Sequence, residues 1–214
     1  MIQKSIEKVV MGNEKKSLRM TDHEKRLTAI HEVGHAIVGK MLPHTDPVHK
    51  ISILPRGGAG WVTWFLPEKD RTYTSKAKYL DELATLYGGR VAEEIFFGSD
   101  YITTGASSDI ERATEIARAM VMRFGFDPDL GAENYAPDNV EGQCKDMSND
   151  TRKMIDIKVR TLLQEAYAHA AKIINKNREL HERIAAALLV QEEMTQEEFD
   201  LFFEWVSVPT KIIM

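Results

Sequence analysis

The 214-residue sequence predicts a mainly α-helical domain with one small β element, and three observations carry that prediction. Apolar residues recur at helical spacing over most of the chain after Thr21. A Ser or Thr stands three residues before a Glu at several helix starts, which is the capping-box pattern. The runs rich in β-branched and aromatic residues, "VHKISIL" from Val48 and "GWVTWF" from Gly60, flank a turn-rich "PRGGAG" and read as a hairpin or short sheet.

The elements follow in order. Thr21 and Glu24 open a helix over 21–42, in which Leu27, Ile30, Gly34, Ile37, Val38 and Met41 recur near helical spacing and which Pro43 ends. The two strand candidates come next. Helical periodicity returns over 74–97 and again over 107–124, where Ser108 and Glu111 offer a second capping box. Residues 125–147 carry Gly, Pro, Asp and Asn and read as a long irregular loop. Three more helices are expected to about Lys176, over 178–191 and from Thr195, where Thr195 pairs with Glu198 and Phe199, Phe202 and Phe203 form the buried face. Residues 21–147 are thus expected to form a core unit and 148–214 a helical part of the same domain.

Composition excludes several classes of function. With 43% hydrophobic and 29% charged residues the chain is globular in type. Its net charge of -5, without a basic tract, argues against nucleic acid as a partner. Cys144 is the only cysteine, so a disulfide framework and a cysteine-based metal site are both excluded, and any metal must be held by His and carboxylates. The longest apolar run, "IAAALLV" over 184–190, falls far short of the roughly 20 residues that span a bilayer. Residues 1–20 are charged throughout and lack the apolar core of a signal peptide, and Ile6, Val9 and Val10 read as a linker arriving from something upstream.

The first helix contains His31-Glu32-Val33-Gly34-His35. Residues four apart on a helix lie about 40° apart around the axis and about 6 Å apart along it, so both imidazoles project from one face and can share a cation. Catalytic zinc takes three nitrogen or oxygen ligands from the protein and keeps one position open. The residue after the first histidine, here Glu32, is where zinc peptidases place the general base for an attacking water. Gly34 permits close approach of another backbone. No His or Glu follows closely after His35, which excludes the extended metzincin arrangement, so the third ligand must come from another helix. Glu93 and Glu94 in "GGRVAEEIFFG" and Asp109 in "TTGASSDIERAT" all qualify, and spacing leaves the choice open. Glu93 could equally be a helix charge beside Arg90, and Asp109 a first-turn acid favoured by the helix dipole.

Taken together, "HEVGHAIVGKMLPHTDPVHKISILPRG", "LYGGRVAEEIFFG" and "TTGASSDIERATEIARAMV" resemble the peptidase domain of the FtsH family, membrane-anchored ATP-dependent zinc metalloproteases with an AAA ATPase module. The resemblance runs from about Leu18 into the C-terminal helices. It implies one zinc per subunit held by His31, His35 and Asp109, which lies 78 positions beyond His31, with Glu32 as catalytic base and Glu93 supporting a ligating histidine. It also implies that "GWVTWF", through Gly60, Trp61, Val62 and Thr63, binds polypeptide by β-augmentation.

Unfolded, damaged or tagged polypeptides as substrates, a homo-hexameric ring, and an upstream AAA module with a membrane anchor belong to the same implication. So does a bacterial inner-membrane or organellar location for the whole protein, with this fragment soluble. No G-x-x-x-x-G-K-[ST] occurs, so ATP is expected only at that upstream module. The chain departs from the family pattern at Gly60-Trp61, at Val33 in place of a common Ala, and in a short loop over 125–147 without an "FLGR"-like stretch. Two other classes, a helical assembly module with a structural metal and a metal-free helical interaction domain, are separated from the peptidase by zinc content and by hydrolysis that depends on Glu32.

Overall fold

The computed structural model describes residues 20–56, 60–67, 72–136 and 147–204. The expected linker, apart from Met20, lies outside the described residues, as do the end of the 125–147 loop with Cys144 and the side chain of Trp61.

Helix α1 (Asp22–Met41) starts where the sequence indicates: the Thr21 hydroxyl accepts from the Glu24 N–H, and the Glu24 carboxylate accepts from the Thr21 N–H. Every residue from Thr28 to Gly39 is buried. A helix buried all round must be apolar or carry polar groups with partners inside the protein, and α1 does both at once.

Strands β1 (Val48–Arg56) and β2 (Gly60–Phe65) form the expected antiparallel hairpin, with Ile51 opposite Thr63. A third strand, β3 (Glu193–Thr195), pairs antiparallel with the other edge of β1, Ile51 facing Met194, so the sheet order is β2-β1-β3 and, among the described residues, β2 is an edge strand.

The periodicity over 74–97 resolves into two helices, α2 (Lys76–Leu86) and α3 (Gly88–Phe97), which break at Tyr87. The break lies where α1 and α3 come closest. α1 and α3 approach backbone to backbone, so that a Cβ on Gly34 would lie 2.4 Å from the Gly88 carbonyl oxygen and one on Gly88 2.6 Å from that of Gly34. This is the close approach that Gly34 permits.

Two 3₁₀ turns, Ser99–Tyr101 and Thr104–Ala106, lead into α4 (Ser107–Met122). The Ser108–Glu111 capping box does not form. The N-cap is Ala106, so Ser108 already lies inside the first turn, and Thr103 takes the local capping role by accepting from the Gly105 N–H.

The rest matches expectation. α5 (Asn149–Lys176) is capped by Ser148, α6 (Arg178–Gln191) follows, and α7 (Gln196–Glu204) opens on the Thr195–Glu198 box with Phe199 fully buried. One hydrophobic cluster draws residues from Ala29 to Phe199, with Ile37, Ile51, Leu83, Met120, Ile174 and Leu188 at its centre. Among the described residues no helix is long and apolar enough to cross a membrane.

Candidate active site

His31 and His35 are each 8% exposed and Glu32 is 5% exposed, so all three need hydrogen-bond partners to be tolerated. His35 donates its Nδ1–H to the Thr85 carbonyl at 2.8 Å. That oxygen sits in the last turn of α2, where the Tyr87 N–H also points at it. His31 directs Nδ1 at Glu93 Oε1, 2.7 Å away. Glu93 is fully buried in α3, and its carboxylate also accepts from the Thr103 N–H at 2.7 Å and the Thr103 hydroxyl at 3.3 Å. Burial pushes the Glu93 carboxyl upward, but His31 and Thr103 outweigh it and hold the group below its ordinary range.

With both rings donating through Nδ1, each neutral imidazole turns a lone pair outward at Nε2. The two Nε2 atoms face each other 3.1 Å apart. Asp109, in the first turn of α4, places Oδ2 at 3.5 Å from His31 Nε2 and 3.4 Å from His35 Nε2. Three electron-pair donors meet there with no proton supplied between them. Such a cluster demands a positive charge. Without a metal that charge is a proton: burial alone would depress the His31 pKa, yet Asp109, Glu93 and Glu32 raise it to about 10. Asp109 responds in the opposite direction. Burial pushes its carboxyl up, and both histidines hold it far below the usual carboxylate range.

The donor set fits zinc. Ligands 2.0 to 2.1 Å from a tetrahedral centre stand roughly 3.3 to 3.4 Å apart, close to the separations of these three atoms. His31, His35 and Asp109 form the metal-capable group of three among the described residues. Glu93 belongs to the far side of the His31 ring, and Glu94 is engaged by the Tyr167 hydroxyl, so neither joins the cluster.

The cluster opens on a cleft of about 920 Å³ lined by Leu27, Glu32, Val62, Thr63, Phe65 and Leu86 among others. Of the strand residues expected to meet substrate, Val62 and Thr63 line it; Gly60 and Trp61 begin the same strand. The Thr63 hydroxyl lies 2.7 Å from Glu32 Oε2 and 2.8 Å from the Glu32 carbonyl.

Several supporting groups are not evident from motif reading. Thr85 acts through its carbonyl, which no side-chain pattern advertises, and Thr103 is visible only as a Thr in "TTGASSD". Gly89 leaves room for the His31 ring, since a Cβ there would lie 2.4 Å from Nε2. The Gly88-Gly89 doublet inside an apolar helical run is the one sequence signal of that constraint.

Comparison with known proteins agrees with this geometry. The family described as Peptidase family M41 matches residues 18–201. The chain is 44% identical over 201 residues to the ATP-dependent zinc metalloprotease FtsH of Photobacterium profundum, covering 91% of this chain and 29% of that protein. It is 42% identical over 211 residues to the FtsH of Caldicellulosiruptor bescii, covering 95% and 34%, and 43% identical over 197 residues to that of Cupriavidus metallidurans, covering 90% and 30%. The chain thus spans about a third of the length of these curated relatives. On the family match over most of its length, the chain belongs to peptidase family M41.

Proposed function

We propose that this chain is the zinc endopeptidase domain of an FtsH-type, ATP-dependent, membrane-anchored protease, and that it hydrolyses unfolded, damaged or tagged polypeptides. The observation that carries the reading is the triangle of His31 Nε2, His35 Nε2 and Asp109 Oδ2, three electron-pair donors brought together by two buried histidines and a half-buried aspartate. His31, His35 and Asp109 would hold the ion, which when bound supplies Lewis acidity that lowers the pKa of water towards about 7 and polarises the scissile carbonyl.

The chain's own residues do the rest. Glu93 fixes the orientation of His31 through Nδ1, as Thr85 fixes that of His35, so that both Nε2 atoms stay available. Glu32 follows His31 on α1 and lines the cleft. Its Oε2 is engaged by Thr63, which leaves Oε1 to take the proton of the attacking water and return it to the leaving amine. The outer edge of β2, unpaired among the described residues and with Val62 and Thr63 beside the cleft, would accept an extended polypeptide as an added strand. Recognition through backbone hydrogen bonds suits a protease that accepts many sequences.

A hexameric ring, an AAA module that uses ATP to unfold substrates and a membrane anchor complete the proposal for the whole protein. The test is direct. The purified chain should carry about one zinc per subunit and cleave an unfolded protein such as casein, and a chelator should abolish the cleavage. Zinc without cleavage would leave the site a structural one.

A further inference from the structure

The hairpin meets the helix that carries Glu32 through the Thr63 hydroxyl. Thr63, in the middle of β2, directs its hydroxyl at two acceptors of one residue, Glu32 Oε2 at 2.7 Å and the Glu32 carbonyl at 2.8 Å. A hydroxyl has one proton to donate, so it sits at the fork between main chain and side chain and restrains the torsions that connect them. Glu32 is 5% exposed and Thr63 half-buried, which keeps water from replacing the contact freely. No other side chain among the described residues hydrogen-bonds the Glu32 carboxylate.

We infer that Thr63 is a positioning residue for the reaction: it holds the Glu32 carboxylate so that Oε1 faces the attacking water. This rests on the reading of Glu32 as the general base and adds a role to a strand expected only to bind substrate. Because Thr63 stands opposite Ile51 in the hairpin, the position of the base is referred to the same strand whose outer edge would receive the polypeptide. Binding and catalysis are thereby set by one rigid element. Misplacing a catalytic group by about 1 Å can cost on the order of 100-fold in rate, whereas backbone pairing along β2 does not need the hydroxyl.

The test compares Thr63→Val, Thr63→Ala and Thr63→Ser in the zinc-loaded chain with a fluorogenic unfolded peptide, alongside Glu32→Gln. Thr63→Val and Thr63→Ala should retain full zinc content and a KM within about twofold of the parent while kcat falls roughly 10- to 100-fold. Thr63→Ser, which keeps the oxygen, should restore kcat to within about threefold. A raised KM at unchanged kcat would make Thr63 a substrate contact and overturn the inference, as would a Ser variant as impaired as the Val variant. Should the hydroxyl-free variants fail to fold, the Ser variant still decides, since a large loss of kcat there contradicts the proposal. Retained hydrolysis in Glu32→Gln instead removes the base reading itself, whatever Thr63 does.

Discussion

Glu93 lies 2.7 Å from the Nδ1 atom of His31, on the side of the ring opposite the cluster formed with His35 and Asp109. A carboxylate placed there sets the tautomer and makes Nε2 a better donor. Glu93→Gln keeps the shape but removes the charge, and it should weaken zinc binding by about 10- to 100-fold. Asp109→Asn, which exchanges the oxygen that completes the triangle for a poorer donor, should lose more. Competition with a chelating dye ranks the two. Full zinc affinity in Asp109→Asn together with its loss in Glu93→Gln would exchange their roles.

The glycine doublet makes a steric prediction. An alanine normally stabilises a helix interior by about 1 kcal/mol relative to glycine. At Gly88 the added Cβ would instead meet the Gly34 carbonyl at 2.6 Å, backbone against backbone, and neither helix can yield without moving the site. Gly88→Ala should therefore destabilise by about 1 to 3 kcal/mol in denaturant titration. At Gly89 the clash is with the His31 ring, so Gly89→Ala should lower zinc affinity at least about tenfold with a smaller loss of stability.

Those positions also show where the sequence is legible. The helix with His31 and His35 declares itself because its cap, its periodicity and the four-residue spacing are all local. The break at Tyr87 does not, although it falls beside the Gly88-Gly89 doublet where α1 and α3 approach most closely, a contact between distant segments that periodicity does not reveal. Strand β3 is equally hidden: three residues carry no periodicity, and Thr195 reads as the helix cap it also is. The Ser108–Glu111 pattern fails as a cap because the 3₁₀ turn after Thr103 starts α4 early. Choosing Asp109 over Glu93 from the residues alone requires knowing which side of the His31 ring each reaches, and that is set by how α3 and α4 pack.

A buried histidine outside the cluster sets an acid limit. His181 on α6 is fully buried against Phe96 and donates its Nε2–H to the Ile30 carbonyl, one residue before His31. Burial lowers its pKa to about 4, partly offset by that hydrogen bond. A folded-state pKa below the unfolded value of about 6.5 means that the unfolded chain binds the proton first. This contribution to stability is complete above about pH 6.5 and is lost as pH falls towards 4, up to roughly 3 kcal/mol. His181→Gln, which can still donate to Ile30 but does not titrate, should flatten the stability profile across that window in chemical denaturation at fixed zinc.

Metal removal should change the pH response in the opposite sense. In chelated protein His31 has its pKa raised to about 10, so its contribution is fully present below about pH 6.5 and disappears as pH rises towards 10. Zinc displaces that proton, so zinc affinity should rise with pH over the same range. Calorimetry in buffers of different ionisation enthalpy would count the proton released at pH 7. No release would mean that His31 is already neutral.

Glu32 as the general base is tested by Glu32→Gln, measured for zinc content and peptide hydrolysis on the same preparation. The side chain lies beside the three-donor cluster but contributes none of its atoms. The variant should carry about one zinc per subunit, as in the parent, with hydrolysis reduced by at least about 100-fold. Hydrolysis near the parent rate at full zinc occupancy would contradict that role for Glu32.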